Sequence, residues 1–395
     1  MARRPSALLA LLSSIPAPAA AQVGVEWAEE AGSSASRSGP RRALALEGTL
    51  AVACAVDDNV FLTEAAKEAQ PLVAPRGQLR LSYDTPRLEL RADAMVNFNW
   101  YPGLIGSSSD EERALLRLSY SFGDVVVSAT DVLRRESDPV DVEYSGRIRR
   151  VVNNLQPVIT FRSFPFHAES FLDFGVVAFE LDELGASRDN LNLRGGLLLG
   201  INLRRRFELV VDGGVLAASF GDRGPADPIG WFAHAGFQGN VEPRLAVSLR
   251  AGASGARAGG AIDPFEVQLA DVDVSAKLRF NATSRLILRA DYTRRLGFGG
   301  GRSSFQTINQ GIVGAHWTVL PGLQLRLRAQ ADLLTAPRDP SRAFVSAGGT
   351  VVYRFTSEHL LFEAGPVYRK SIVDSGPGSY DAFLMWAGLA AKLDA

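Results

Sequence analysis

Apolar and polar residues alternate along most of the chain from residue 44 onward. In Arg87–Trp100 every even-numbered position is apolar, and every odd-numbered position except Met95 is polar or charged. The same period of two recurs in Asn190–Arg204, Arg285–Arg295 and Gly322–Leu333. A period of two places successive side chains on opposite faces of a β-strand. The chain is therefore predicted to be all-β, with strands that each have one apolar and one polar face.

The predicted strands are too long for an ordinary soluble sheet. They run for about 10–14 residues, whereas a tilted strand crosses a bilayer in about 9–11 and a soluble strand usually has about 5–6. Short turns follow every second strand, at Asp84–Pro86, Gly123–Asp124, Ser163–Pro165, Arg205–Arg206, Glu242–Pro243, Ala282–Ser284, Pro321–Gly322 and Ser357–Glu358. Longer polar connections lie between them, at Asp57–Pro75, Gly103–Glu112, Glu136–Ser145, Asp182–Asp189, Asp222–Pro228, Ala253–Pro264, Gly297–Ser303, Ala336–Ser341 and Asp374–Ser379.

Short turns on one rim and long loops on the other are typical of outer-membrane β-barrels. Nine long connections imply nine hairpins, which predicts a transmembrane antiparallel up-and-down β-barrel of about 18 strands over residues 44–395, with 16 as the alternative. The apolar face is expected to meet lipid, and the sheet must close because lipid satisfies no backbone hydrogen bond. Aromatic residues on the apolar face cluster near strand ends, as in interfacial girdles: Tyr83, Trp100, Phe122, Phe161, Phe207, Phe280, Trp317 and Phe355. A soluble β-sandwich is disfavoured by the strand length.

The first 43 residues carry an export signal and a polar lead-in. Arg3 and Arg4 precede the apolar run Ala7–Ile15, and Ala19–Ala21 supplies small residues for cleavage, so residues 1–21 are predicted to be a signal peptide. Residues 22–43 are rich in Ser, Gly and charge, and are predicted to be a flexible periplasmic segment. A further hypothesis is that this segment enters the barrel as a plug. The expected location is the outer membrane of a Gram-negative bacterium, reached with the barrel-assembly machinery.

Composition removes several classes of function. The 42 basic and 43 acidic residues leave a formal net charge of −1, so no nucleic-acid partner is expected. One cysteine, Cys54, excludes an intramolecular disulfide and a thiolate zinc site, and its position on the apolar face predicts a small buried residue. The four histidines include His234 and His316 on the polar face, but no Gly-x-Ser-x-Gly motif accompanies them. The protein is therefore predicted not to be an enzyme, and no metal or cofactor is expected.

The polar faces of the strands are predicted to line the lumen. The residues expected to contact a solute are Arg80, Arg91, Asp93, Arg117, Arg194, Arg250, Asp273, Arg289, Asp291, Arg326, Arg328 and Asp332. Arginine offers a rigid fork of donors, so these side chains can guide hydroxyl-rich or anionic solutes. The alternative is that arginines and carboxylates brace the wall and contact no substrate. A barrel of about 18 strands leaves a bore that side chains alone do not fill, which favours a passage for the lumen as a whole.

The opening of the barrel resembles a known family. The first predicted strand, in Gly48–Phe61, ends in Asp58-Asn59-Val60-Phe61, and an amphipathic hairpin with a Thr-Pro turn follows in Gln78–Trp100. This is similar to the β-barrel porins encoded with exopolysaccharide biosynthesis systems, in which the first strand ends in a comparable Asp-to-Phe motif. The resemblance implies an outer-membrane barrel that helps a polysaccharide leave the cell, with no defined catalytic or binding residues.

The expected function is thus a conduit for an exported exopolysaccharide. The expected partners are outer-membrane lipid, polysaccharide or small hydrophilic solutes, and periplasmic export components. Two alternatives remain open, a general diffusion porin for small solutes and a non-conducting structural or adhesive barrel. A barrel enzyme acting through His234 and His316 is a third, less favoured alternative.

Overall fold

The computed structural model describes residues 44–59, 69–102, 109–136, 149–180, 189–204, 206–220, 227–258, 266–298, 305–336, 341–355, 359–374 and 379–394. These residues form eighteen β-strands. The strands are β1 Leu44–Asp57, β2 Gln70–Asp84, β3 Leu88–Asn99, β4 Ser109–Phe122, β5 Val125–Glu136, β6 Arg150–Ser163, β7 Phe166–Phe179, β8 Asn190–Arg204, β9 Phe207–Phe220, β10 Pro228–Glu242, β11 Leu245–Ala258, β12 Glu266–Asn281, β13 Leu286–Phe298, β14 Phe305–Leu320, β15 Leu323–Thr335, β16 Arg342–Arg354, β17 Leu360–Val373 and β18 Tyr380–Asp394.

The eighteen strands form one closed antiparallel barrel. Each strand pairs with its neighbours in sequence, and β1 also pairs with β18 from Glu47↔Asp394 to Asp57↔Leu384. The ladder therefore runs around the whole circumference and leaves no edge strand to pair with another chain. The predicted all-β up-and-down barrel of 18 strands is confirmed, and the alternative count of 16 is wrong.

The barrel is apolar outside and polar inside. Leu197, Leu199 and Leu203 on β8 are each 59% exposed, whereas Glu169 and Asp273 are buried on the inner face. This is the reverse of a soluble protein, in which large apolar side chains are enclosed and carboxylates are hydrated. Cys54 is exposed on the outer face, so the prediction that it is a buried residue is wrong.

Aromatic side chains lie near the strand ends on the outer face, as the pattern predicts. Phe122 and Phe161 are exposed beside short turns, and Trp100 is exposed near a long connection. Tyr83 and Phe207 are partly buried. Bands of exposed aromatic residues at both ends of an apolar surface are typical of the two membrane–water interfaces.

The short turns that the structure describes join the strands where the sequence predicts them. Of the predicted turns, Arg205 and Ser357–Glu358 lie outside the described residues. The connection between β14 and β15 consists of Pro321 and Gly322, and Gly322 has a φ of 85°. A residue with a side chain rarely adopts this left-handed conformation, so glycine is required for so tight a reversal.

Three predicted loops extend four to six residues into the neighbouring strands. Gln70–Pro75 belongs to β2, Ser109–Glu112 to β4 and Ala253–Ala258 to β11. Pro71 and Pro75 of β2 pair with Val56 and Val52 of β1. Their ring nitrogens point away from β1 and towards β3. At this end of the barrel, few hydrogen bonds join β2 to β3. Proline is tolerated in a strand when the donor it lacks faces such an opening.

The predictions for the signal peptide, for the lead-in segment and for its role as a plug concern residues 1–43, which lie outside the described residues. No helix in the described part of the chain is long and apolar enough to span a membrane.

Candidate functional site

The twelve residues predicted to contact a solute all lie in strands, at positions that alternate with exposed apolar residues. Their side chains therefore share the inner parity of the barrel. Contact between these residues and a solute stays a prediction. They fall into groups whose contacts differ, and those contacts indicate which residues brace the wall.

Arg80, Arg91 and Asp93 form a braced group on β2 and β3. The Arg80 Nε lies 3.0 Å from the Asp93 Oδ2, and Gln78 Nε2 donates to the Asp93 Oδ1 at 2.8 Å. Arg91 lies 4.0 Å from the same carboxylate. Because Asp93 is shared among several donors, this group fits the bracing interpretation of the lumen arginines.

Arg326, Arg328 and Asp332 form a row along β15. Arg326 donates to Gln324 at 3.3 Å, Arg328 donates to Gln330 at 3.2 Å, and Gln330 donates to Asp332 at 2.7 Å. These side chains occupy every second position of β15, and the hydrogen bonds between them run along the strand. A row of this kind presents donors at several depths of the lumen.

The remaining predicted arginines include two like-charge pairs in the ladder. Arg117 lies opposite Arg91 between β3 and β4, and Arg289 lies opposite Arg279 between β12 and β13. Asp291 lies opposite Lys277. Facing arginines repel each other, so these positions raise the positive potential of the lumen locally.

A continuous network of polar side chains crosses the inner wall from β6 to β12. We call it the charged belt, and it consists of Thr160, His167, Glu169, Glu208, Asp212, His234, Gln238, Arg250, Ser254 and Asp273. His167 Nδ1 lies 2.8 Å from Glu208 Oε1, and Gln238 donates to Glu208 Oε2 at 2.8 Å. Arg250 donates from Nη2 to Gln238 Oε1 at 3.2 Å and from Nη1 to Asp212 Oδ1 at 3.4 Å. The predicted residues Arg250 and Asp273 both belong to this belt.

His234 is the bridge at the centre of the charged belt. Its Nδ1 lies 2.9 Å from Asp212 Oδ2 and its Nε2 lies 3.1 Å from Asp273 Oδ2. In the imidazolium form, both ring nitrogens donate, one to each of the two carboxylates. The ring therefore bridges β9 and β12 with two charge-assisted hydrogen bonds.

Two aromatic rings support the belt beneath Arg194. Phe232 of β10 is buried, lies 6.4 Å from the ring of Phe171, and carries the Arg194 guanidinium 4.3 Å above its centroid. A Cβ at Gly196 would lie 3.0 Å from the Phe171 ring and 3.2 Å from the Phe232 ring. Glycine at this position therefore lets rings from β7 and β10 meet across the two strands between them.

The end of β13 separates from β12 but stays paired with β14 as far as Phe298↔Phe305, and it bends to the lumenal side of β12. We call Arg294–Phe298 the β13 tip. Pairing between β12 and β13 ends at Val274↔Arg294, although β12 starts at Glu266. Leu296 of the tip packs with Ala256 and Ala258 of β11, which is not the sheet neighbour of β13. Because both alanines face inward, the β13 tip narrows the lumen at this level.

Polar contacts hold the β13 tip in place. The Leu296 N–H donates to Asp273 Oδ1 at 3.3 Å, which ties the tip directly to the charged belt. Arg294 Nη2 donates to Asp271 Oδ1 at 2.7 Å, and its Nε donates to the Val272 carbonyl at 3.0 Å. The Arg294 side chain thus supplies donors where ladder bonds between β12 and β13 have ended.

The inward position of the tip brings Arg295 within electrostatic range of charged residues on β7, β8 and β12. Arg295 interacts electrostatically with Arg194 of β8, Asp173 of β7 and Asp273 of β12. β8 and β13 are five strands apart in the sheet, about 24 Å along the wall at about 4.8 Å per strand.

Sequence reasoning identified part of this site. Alternation placed Arg194, Arg250 and Asp273 inside, and it also placed Arg295 on a polar face. It did not single out Asp173 or Phe232, and it named His234 only as a candidate for a barrel enzyme, not as part of a polar network. The alternation predicts which face of the barrel these residues are on. The inward position of the β13 tip, however, depends on contacts with β11 and β12 that no local pattern encodes.

The chain is similar to several solved structures, with low sequence identity. OpdK from Pseudomonas aeruginosa matches at 10% identity and a TM-score of 0.48, over 89% of this chain and 99% of that chain. OccAB3 from Acinetobacter baumannii matches at 10% identity and a TM-score of 0.46, also over 89% of this chain and 99% of that chain. The FrpB iron transporter from Neisseria meningitidis matches at 7% identity and a TM-score of 0.47, over 90% of this chain and 82% of that chain.

No protein-family model matches the chain, and no curated protein matches it in sequence. The assignment of the fold therefore rests on the strand pairing itself, which closes an antiparallel barrel of eighteen strands.

Proposed function

We propose that the protein is an outer-membrane channel that conducts hydrophilic solutes through the lumen of its barrel. The observation that carries this proposal is the division of the wall into an exposed apolar outer face and a charged inner face. A closed barrel satisfies its backbone hydrogen bonds internally, so such a wall is stable in lipid. The same outer face is unfavourable in water, since exposing a Leu or Val side chain instead of burying it costs about 1.5–3 kcal/mol.

The charged inner face gives the channel its chemistry. The charged belt and the β15 row offer guanidinium donors and carboxylate acceptors at several depths. Such groups replace part of the hydration of a hydroxyl-rich or charged solute as it passes. The bracing contacts of Arg80 and Asp93 support the wall, while the β13 tip narrows the route.

For the cargo, we propose an exported exopolysaccharide. The support is the resemblance at Asp58-Asn59-Val60-Phe61 together with a lumen whose donors and acceptors suit sugar hydroxyls. The test is the amount of polysaccharide at the surface and in the periplasm of a strain that lacks the gene. Loss at the surface with retention in the periplasm supports dedicated export. Unchanged amounts in both compartments would contradict it.

A general porin for small solutes is the second candidate, and the narrowing by the β13 tip favours it. A constriction restricts a polymer more than a monosaccharide. Liposomes containing the purified full chain should then swell in small sugars at a rate that falls with solute size. If polysaccharide export is lost in the deletion strain and swelling is absent, this candidate is excluded.

A further inference from the structure

A carboxyl group lies on the lipid-facing side of the barrel wall, among exposed leucines. Asp131 of β5 pairs with Leu116 of β4 and with Leu155 of β6, and both leucines are exposed on the outer face. Leu133, the next residue of the same parity on β5, is exposed as well. Successive side chains of a strand alternate between its two faces, so the Asp131 side chain lies on the outer face.

Asp131 also lies near the middle of the apolar band of the outer face. Val125, where β5 begins, pairs with Phe122, an aromatic residue of one interfacial girdle. From Val125 to Asp131 the chain rises about 20 Å along the strand, which is about 15 Å of depth for a strand tilted by about 40° in an apolar band about 25 Å tall. Elsewhere on the described outer face, carboxyl groups lie near the strand ends that carry the long connections, as at Asp110 and Asp381. An ionisable side chain at membrane depth is unfavourable without a partner.

Asn153 of β6 satisfies this carboxyl group in part. Asn153 Nδ2 donates to Asp131 Oδ1 at 2.9 Å, and both side chains are half-buried. Within the described residues, Asp131 Oδ2, the second amide N–H of Asn153 and the side-chain oxygen of Asn153 have no further partner. Hydrocarbon offers no hydrogen bond, so these groups are satisfied only by a molecule that packs against this face.

The outer face of β4–β7 is also polar at the rim that carries the long connections. Arg135 of β5 lies 3.1 Å from Asp110 and 3.9 Å from Glu112, both on β4. Arg149, which directly precedes β6, lies 3.2 Å from Asp110. The Glu112 and Arg149 side chains are 52% and 45% exposed, so both signs of charge are accessible at this depth. One sector of the wall therefore combines exposed charge at its rim with a polar pair in the apolar band.

We propose that the outer face of β4–β7 is the surface on which a second copy of this chain packs, with Asp131 of each copy accepting a hydrogen bond from Asn153 of the other. A two-fold axis along the membrane normal brings residues of equal depth together. The same axis places Glu112 and Arg149 of the two copies at one level of the rim, with opposite charges. The inference goes beyond the proposed channel function, because assembly through the outer face does not depend on conduction through the lumen.

The chemistry of the surface favours a second copy over other occupants. Asn153 retains a donor and Asp131 retains an acceptor at nearly the same depth, so the pair is complementary to itself. A lipid places acyl chains at this depth, and acyl chains offer neither donor nor acceptor. An unrelated protein would need a matching donor and acceptor in its own lipid-facing surface, whereas a second copy carries both.

The test is the oligomeric state of the purified full chain in mild detergent, measured by sedimentation equilibrium over a range of concentrations. The unmodified chain should sediment as a dimer. The double variant Asp131→Leu with Asn153→Leu removes both exchanged hydrogen bonds, so the Kd of the dimer should rise about a hundredfold, or about tenfold for each bond. Asp381→Leu removes an outer-face carboxyl group from β18 and is the matched control, which should leave the Kd unchanged.

A second measurement separates loss of the interface from a folding defect. Leucine suits a lipid-facing position, so the urea midpoint of the refolded double variant should not fall while the dimer is lost. Asp131→Asn keeps an acceptor at the same place without its charge, and it should raise the Kd by about tenfold rather than a hundredfold.

Three outcomes would overturn the inference. They are an unmodified chain that sediments as a monomer at all concentrations, a dimer that the double variant leaves intact, and a Kd that rises equally in the Asp381→Leu control. A monomer that retains lipopolysaccharide or an unrelated protein, and loses it in the double variant, would overturn the inference in favour of that partner. The channel proposal is tested separately by conductance, so it can fail or hold whatever the sedimentation shows.

Discussion

At the scale of single residues, Asp58 and Asn59, the first two residues of the motif behind the family resemblance, have a structural role. Asp58 and Asn59 lie at the end of β1, where the barrel closes. The Asp58 N–H donates to the Phe383 carbonyl at 3.1 Å, and Asn59 Nδ2 donates to the Asp381 carbonyl at 2.7 Å. Asn59 is fully buried and also donates its N–H to Asp57 Oδ1 at 3.0 Å. These contacts fasten β1 to β18, a role that requires no particular cargo.

Replacing Asn59 should therefore weaken barrel closure. Asn59→Leu leaves the Asp381 carbonyl without its donor, and an unsatisfied buried polar group costs about 1–3 kcal/mol. The free energy of unfolding, measured by urea titration of the refolded barrel, should fall by this amount. Asn240→Leu, at an exposed position near a short turn, is the control. Equal stability of the two variants would contradict the closing role.

Gly196 should be intolerant of a side chain. A Cβ there would lie 2.6 Å from the Gly213 carbonyl oxygen in addition to its close approach to Phe171 and Phe232. Overpacking of this kind typically costs about 1–3 kcal/mol. Gly196→Ala should lower the urea midpoint, whereas Gly77→Ala, whose Cβ would meet nothing closer than 4.0 Å, should not. Equal midpoints would mean that the two rings do not need this space.

At the scale of elements, the strands follow from alternation, and the exceptions have local causes. Ala253–Ala258 reads as a loop because alanine, glycine and serine obscure the period of two. Gln70–Pro75 reads as a loop because of its two prolines, which the open part of the ladder accommodates. The β13 tip is different in kind. Its alternation continues to Leu296, but that side chain contacts β11 inside the barrel rather than lipid.

Asp273 should control the position of the β13 tip. Asp273→Ala removes the acceptor for the Leu296 N–H and one of the two carboxylates that hold His234. Loss of these contacts weakens docking by about 1–3 kcal/mol, so the tip should leave the lumen more often. Single-channel recordings should then have a larger mean conductance. Asp332→Ala makes the same change of charge on β15 and is the control, and an equal rise in both variants would indicate a charge effect rather than release of the tip.

At the scale of the whole molecule, closure turns the polar faces of eighteen strands into one lumen. The sequence predicts that Arg326 and Arg328 face the lumen, because the alternation in β15 is regular. The networks that join distant strands are not predicted in this way, since their partners lie many residues apart, as His234 and Asp273 do. Sequence therefore predicts which residues face the lumen, while the pairing of charges depends on register and on the inward β13 tip.

Reversing the charge of the β15 row should change ion selectivity. The double variant Arg326→Glu with Arg328→Glu replaces lumen cations with anions, so the reversal potential in a salt gradient should shift towards cation selectivity. Arg244→Glu with Arg285→Glu makes the same change of formal charge at exposed positions near the short turns. This control should shift the reversal potential much less. Identical shifts would contradict a lumenal β15 row.

The central claim, a charged lumen that conducts through a closed barrel, is tested most directly by the single-channel conductance of the purified full chain in a planar bilayer. The fold and the charged inner face predict discrete current steps of uniform size that appear only when protein is added. Membranes that contain the inserted, protease-resistant barrel and carry no current would contradict the claim.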